Sequence, residues 1–261
     1  MMSLDFGEYL YNNLPDVEFV DFSRSFNEIK AVKSEEELEL ARKCVRAHEH
    51  LIDTVPSLLR PGRFEYEILA DLEHRSRYIG CDNIGNIAVG SASLGKGPAF
   101  YKNFRANRCL EAGDAVAVMI EVSGPGGIYG EVSRTFCLGE PKQSLLDLFE
   151  IAKNAQYAVA NAMKPGVKGK DLDRVYNDYV TQFGIEKNAR FVGHGQGYDM
   201  MEAPTIGPRE EMEIKENMFF AIHPRIVKNG EVAMCCDNFV VTKEGALRMT
   251  RTKQKIIQVE Y

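Results

Sequence analysis

The chain has 261 residues, 44% hydrophobic and 27% charged, with a formal net charge of −6. That length is enough for one large core or two modest ones. The acidic balance, with no dense Lys/Arg cluster, excludes an ordinary nucleic-acid face. The longest basic run, Arg248 to Lys255, is diluted by Met249, Thr250 and Thr252 and reads as a solvated strand edge. No apolar run approaches the ~20 residues of a membrane span, and Met1 to Leu14 carries acids where a signal peptide needs an apolar stretch. Six cysteines without CxxC spacing read as free thiols of a cytoplasmic protein.

Residues 1–33 read as an N-terminal extension or the remnant of an N-terminal domain, with Phe19-Val20-Asp21-Phe22 as a short strand. Ser34 followed by Glu37 is a helix start, a hydroxyl cap with a Glu three residues on. Leu38, Leu40, Ala41, Cys44, Val45 and Leu51 then give an apolar stripe. A second helix follows Arg60-Pro61-Gly62 and runs to about Tyr78. Asn86–Val89 and Ala115–Val122 read as strands, with Gly90 to Gly97 a loop between them. Leu145 to Met163 and Asp171 to Phe183 read as helices, and short strands with Gly/Pro turns fill the remainder.

An internal repeat shows at an offset of 104 positions, from Leu59-Arg60-Pro61-Gly62 to Met163-Lys164-Pro165-Gly166. At the same offset Leu110-Glu111-Ala112-Gly113 falls on Ile214-Lys215-Glu216-Asn217, and each opens an apolar strand. The repeat is too long for a solenoid. It predicts two α+β halves, about 34–140 and 141–261, around a shared site.

Several blocks occur in a fixed order: Val32-Lys33-Ser34, Gly113-Asp114-Ala115-Val116, Arg134 to Gly139, Gly193-His194-Gly195-Gln196-Gly197, His223-Pro224 and Asp237 to Thr242. In order and spacing they resemble the signatures of the creatinase, aminopeptidase P and methionine aminopeptidase family from about residue 28 onward. The resemblance implies the α+β pita-bread fold, two pseudo-symmetric halves around a curved, mainly antiparallel sheet, as a catalytic-type domain over 34–261. It also implies two metal ions held by two Asp, one His and two Glu.

The ligand positions depart from that pattern. His194 is kept. The first Asp position falls on Met119, the second on Glu131, the Glu before Pro on His223 and the last Glu on Cys236. Glu121, two residues past Met119 and on the same strand face, offers a substitute carboxylate. Met119 and His223 remove negative charge that two hard ions need, so no cofactor is expected. The alternative is one Zn or Fe ion on Glu121, Glu131, His194, His223 and Cys236. Creatinase works without metal, but the segment that carries its histidine base, here Gly97 to Tyr101, has no His.

The expected activity is hydrolysis of a C–N bond in a small peptide, amide or amidino compound, with His194, His223, Glu121 and Glu131 catalytic. Tyr198, Glu202, Met119, Arg225 and Asp237 are the expected substrate contacts, although Met201 stands where a His usually precedes the Glu202 position. Each has a plainer reading: His223 as a satisfied core histidine, Glu121 as the buried partner of Arg134, Cys236 as packing. His48, His50 and His74 read as helix residues without a ligand role. The glycine stretches Gly90–Gly97 and Gly124–Gly127 lack a phosphate-loop ending. A non-catalytic binding module is the remaining alternative. A small-molecule or short-peptide ligand and a homodimer are expected, without nucleic acid or membrane.

Overall fold

The computed structural model describes residues 3–93, 95–97, 107–187 and 190–261. Before the first repeat lie two helices, α1 (Leu4–Asn13) and α2 (Ser23–Ala31). Ser3 caps the first, its Oγ accepting from Phe6 N–H at 3.3 Å. Phe19 to Phe22 is not a strand: it pairs with nothing regular and leads into α2. The aromatic and β-branched residues that suggested a strand are mostly exposed, among them Val20 and Phe22.

The first half runs α3 (Glu35–Thr54), α4 (Glu65–Tyr78), β1 (Asn83–Ser93), β2 (Asp114–Ser123) and β3 (Val132–Leu138). Helix α3 begins at a full capping box: Glu37 N–H donates to Ser34 Oγ at 3.2 Å, and Ser34 N–H to Glu37 Oε2 at 2.6 Å. Strand β1 is longer than the sequence suggests and takes in Gly90 to Ser93, so the first half of the expected loop is strand. Glu65 explains the extension, since its Oε1 accepts both Ser91 N–H and Ser91 Oγ–H at 2.6 Å.

The second half runs α5 (Gln143–Ala162), α6 (Gly169–Val180), β4 (Gly193–Gly195), β5 (Glu202–Thr205), β6 (Phe219–Ile222), β7 (Arg225–Lys228), β8 (Glu231–Met234), β9 (Asp237–Val241), β10 (Ala246–Arg248) and β11 (Ile257–Val259). The sheets are ordered β1-β2-β3-β11 and β10-β9-β6-β4-β5, with β7-β8 a separate hairpin. All pairings are antiparallel except β11 on β3. The two larger sheets meet at a bridge, Ser133 N–H to Cys236 O at 3.3 Å. Among the described residues two main cores result, one chiefly of α3, α4 and β1–β3, the other chiefly of α5, α6, β6 and β9, beside two small clusters. Among the described residues no helix is long and apolar enough to cross a membrane.

The repeat holds at the level of single hydrogen bonds. Gly62 N–H donates to Leu110 O and Gly166 N–H to Ile214 O, both at 2.9 Å. Leu110 N–H donates to Arg63 O and Ile214 N–H to Val167 O, both at 2.8 Å. Gly62 and Gly166 sit at φ +89° and +90°, where an L side chain is strained. In the sheets, Val89 pairs with Val118 as Gly193 pairs with Ile222. One step on, Met119 pairs with Ala88, while His223 N–H donates to Val192 O at 2.9 Å. Met119 and His223 therefore occupy equivalent places.

Candidate active site

The site lies where the two sheets meet. On β2 the alternation puts Ala117, Met119 and Glu121 on one face. Glu131 stands just before β3, its N–H fixed by Asn238 Oδ1 at 2.9 Å. His194 is the middle residue of β4, and its neighbouring glycines let β5 and β6 close around it. A Cβ at Gly193 would come within 2.6 Å of Ala221 O, and one at Gly195 within 2.8 Å of Ala203 O. His223 follows β6, and Cys236 precedes β9.

Glu131, His194 and His223 converge, one ligand-type atom of each lying within 4.8 Å of the others. His194 Nε2 is 3.4 Å from Glu131 Oε2, and His194 Nδ1 contacts Gly195 O at 2.9 Å. With Nδ1–H donated to that carbonyl, Nε2 is the ring nitrogen aimed at the carboxylate. The imidazole centroids of His194 and His223 are 5.1 Å apart. The Phe191 ring stands edge-on to both at 5.8 Å. The Cys236 thiol donates to Glu131 Oε1 at 3.1 Å. Glu121 is half-buried and accepts from Asn86 Nδ2 at 3.3 Å.

Burial and charge set the protonation of this group. Burial, then the Glu131 charge, pushes Glu121 up to about 7. Burial alone would raise Glu131 as well, but the attraction of the His223 and His194 imidazoles when protonated and the hydrogen bonds from His194 and Cys236 hold it below the usual carboxylate range. Burial disfavours the His194 cation, yet the hydrogen bond and charge of Glu131 outweigh it and the pKa rises. His223 moves the other way, lowered by burial against the pull of Glu131. Burial, then the Glu131 charge, keeps Cys236 a thiol.

The structure brings Glu121, Glu131, His194, His223 and Cys236 to this junction, with Met119 packed between Ala117, Met234 and Cys236. Four other expected contact residues are engaged elsewhere. Glu202 forms a buried ion pair with Lys33 Nζ at 2.8 Å. Asp237 pairs with Arg134 at 2.6 Å, both side chains wholly buried, and with Arg248 at 3.0 Å. Arg225 lines a surface pocket with Tyr176, Lys187 and Asn229. Tyr198 is exposed, its hydroxyl on Glu37. Arg134 is thus the partner of Asp237 and not of Glu121: it pairs in register with Val118, one residue off the face that carries Met119. Arg248 is likewise tied down rather than solvated, also reaching Thr252 O at 2.6 Å. The segment Pro98–Tyr101, where the sequence lacks a histidine base, lies outside the described residues.

Three supporting residues escaped the sequence reading. Asn238 Oδ1 accepts from both Glu131 N–H and Gln196 Nε2–H, the latter at 2.6 Å. Gln196 and Asn238 stand inside the recognised blocks, which is the signal that could have found them. Phe191 carried none.

Two pseudo-symmetric α+β halves with a carboxylate–imidazole cluster at their junction define a pita-bread protein of the peptidase and creatinase type. The model for metallopeptidase family M24 matches residues 39–243, and the chain belongs to that family. A curated relative, "Probable dipeptidase PepE" of Mycobacterium bovis, is 29% identical over 233 residues, 88% of this chain and 61% of that protein. The chain thus spans about three fifths of that relative's length. An "Xaa-Pro dipeptidase" of Pyrococcus furiosus is 25% identical over 247 residues, 92% of this chain and 69% of the relative. Among solved structures, dipeptidase PepE from Mycobacterium ulcerans aligns with TM-score 0.87 and 26% identity, covering 100% of this chain and 70% of that one. The X-Pro aminopeptidase from Thermotoga maritima MSB8, at 24% identity and TM-score 0.87 over 98% of this chain and 72% of its own, shows the shared fold.

Proposed function

We propose that the chain hydrolyses a C–N bond in a small peptide, amide or amidino compound, without the two-ion centre usual in its family. The observation that carries this reading is the pair of adjacent imidazoles, 5.1 Å between centroids, with Glu131 Oε2 at 3.4 Å from His194 Nε2. Glu131 raises the pKa of His194 and favours its cation, while burial lowers that of His223 and favours its neutral form. Such a pair divides acid and base roles at one pH. His223 takes a proton from the water that attacks the carbon of the C–N bond. As that bond breaks, His194 gives its proton to the departing nitrogen, and the proton on His223 returns to the pair afterwards. Glu131 orients His194. Glu121, near neutrality in its own titration, grips a polar or cationic group of the substrate. The curated relatives are dipeptidases and Xaa-Pro dipeptidases by description, which favours short peptides among these substrates.

One observation favours a second reading. The donor atoms of Glu131, His194 and His223 lie close enough to share one ion. An ion there would polarise a carbonyl and lower the pKa of a bound water. The six unpaired thiols fit a reducing compartment, and we place the protein in the cytoplasm.

The test is a panel of Xaa-Pro dipeptides, small amides and guanidino compounds, assayed for hydrolysis with chelator and with added Zn²⁺ or Mn²⁺. Turnover in chelator, rising with pH as His223 loses its proton and falling at higher pH as His194, its pKa raised by Glu131, loses its own, is the expected result. Thermal-shift binding with no turnover under either condition would make the chain a binding module instead.

A further inference from the structure

The family resemblance implies a pair of ions, and Glu131 decides whether a pair can assemble. A carboxylate that bridges two ions presents one oxygen to each, with the ions about 3.5–4 Å apart. Here Oε1 already accepts the Cys236 thiol at 3.1 Å. The other oxygen, Oε2, lies 3.4 Å from His194 Nε2. The sulfur is wholly buried and packed with Ala117, Met119 and Met234, so it cannot turn aside without opening that cluster. It also stands outside the group formed by Glu131, His194 and His223, so it adds no donor at their common point.

The other places for a second ion are no better furnished. Met119 offers a thioether, a soft donor that hard divalent ions take poorly. Glu121 is not among the donors that share the point, and its carboxylate is held by Asn86. Among the described residues, one carboxylate and two imidazoles share that point, a half-set for a single ion of the imidazole-accepting kind.

We infer that this centre cannot assemble the two-ion pair of its family, that it takes one divalent ion at most, and that the Cys236 thiol on Glu131 sets the limit. The inference rests on the placement of the cluster and is independent of whether a C–N bond is cleaved there. Failure of the proposed hydrolysis would show in the substrate panel, which the following experiment does not use.

The purified chain is dialysed to equilibrium against Mn²⁺, Co²⁺ or Zn²⁺, each alone, and bound metal per chain is measured by elemental analysis. Wild type is expected to saturate at one ion or none. Two ions per chain would overturn the inference. The same measurement on the Cys236→Glu/Met119→Asp variant is expected to give one ion more than wild type, with circular dichroism confirming the fold. If that variant does not fold, Cys236→Asp alone carries the comparison. A folded variant that gains no ion would remove Cys236 as the limiting residue. With Co²⁺ bound to wild type, a thiolate-to-cobalt charge-transfer band would show Cys236 ligating rather than capping, and would overturn its assigned role.

Discussion

At the scale of single residues, the two site imidazoles and one core imidazole illustrate opposite uses of burial. His194→Ala and His223→Ala are each expected to lower kcat by about 10² to 10⁴, the usual share of general acid–base catalysis. Both variants should stay folded, since both side chains end in the site rather than in a core, with His194→Ala the less stable because it leaves the buried Glu131 carboxylate without its imidazole. Loss of fold in either would identify a packing residue. His48 is the contrast: wholly buried in α3, with Nε2 at 3.1 Å from Val122 O and 3.5 Å from Cys44 Sγ. Burial pulls its pKa down to about 4. Above the unfolded value near 6.5 both states are neutral and His48 contributes no slope. As pH falls below that, the unfolded chain gains a proton that the folded chain refuses, and stability declines until about pH 4. The loss approaches about 3 kcal/mol across that window. Chemical denaturation from pH 7 to pH 4 should show a gentler decline in His48→Gln than in wild type.

The same scale shows what was legible in the sequence. His194 announced itself through flanking glycines, and strand alternation correctly paired the faces of Met119 and Glu121. The partner of Arg134 did not announce itself, because Asp237 is distant along the chain and comes into reach only when the halves meet. Glu202 failed to read as a structural carboxylate for the same reason, its partner Lys33 lying far upstream.

At the scale of elements, start and stop signals read well and lone apolar stretches read poorly. The Ser34 capping box was visible as a pattern of two residue types, since both of its hydrogen bonds are local. Ser34→Ala should cost about 1 kcal/mol in urea unfolding. Phe19 to Phe22 misled because a strand needs a partner, and no propensity supplies one. The heavier element-level contact is the buried Arg134–Asp237 pair between β3 and β9. Arg134 also donates to Ser133 O at 2.7 Å, Cys236 O at 3.0 Å and Thr252 O at 3.0 Å. Arg134→Met leaves the buried Asp237 charge with Arg248 and the neutral donors Gln254 and Cys235, and should cost about 3–5 kcal/mol. Asp237→Asn in that background should recover part of it; no recovery in the double-mutant cycle would show that the lost carbonyl contacts, not the charge, set the cost.

At the scale of the whole molecule, the repeat makes an unusual comparison available. Gly62 and Gly166 have matching φ and equivalent but separate hydrogen-bond partners, and a Cβ at either meets nothing within 4 Å. Gly62→Ala and Gly166→Ala should therefore cost about the same, 1–2 kcal/mol each from the left-handed backbone alone. They should add in the double variant, because the sites share no partner. Unequal costs would mean that the halves are unequal in stability despite their matched bonding. Assembly belongs to this scale too. Leu4, Tyr9 and Tyr11 on α1 and Phe26 and Ile29 on α2 are exposed. A homodimer is the expected state in light scattering, and a monomer at micromolar concentration would count against it.

The parallel pairing of β11 on β3 makes the halves unequal in time. Val259 belongs to the core of the first half, and its carbonyl accepts from Gly139 N–H at 3.2 Å. A ribosome delivers the first half complete in every other element, but with the outer edge of β3 bare until the entire second half has emerged. During that interval the open edge is a pairing template for neighbouring nascent chains, and long-range parallel pairing is slow to form. Slowing translation within the second half should therefore lower the soluble yield, while speeding it should not.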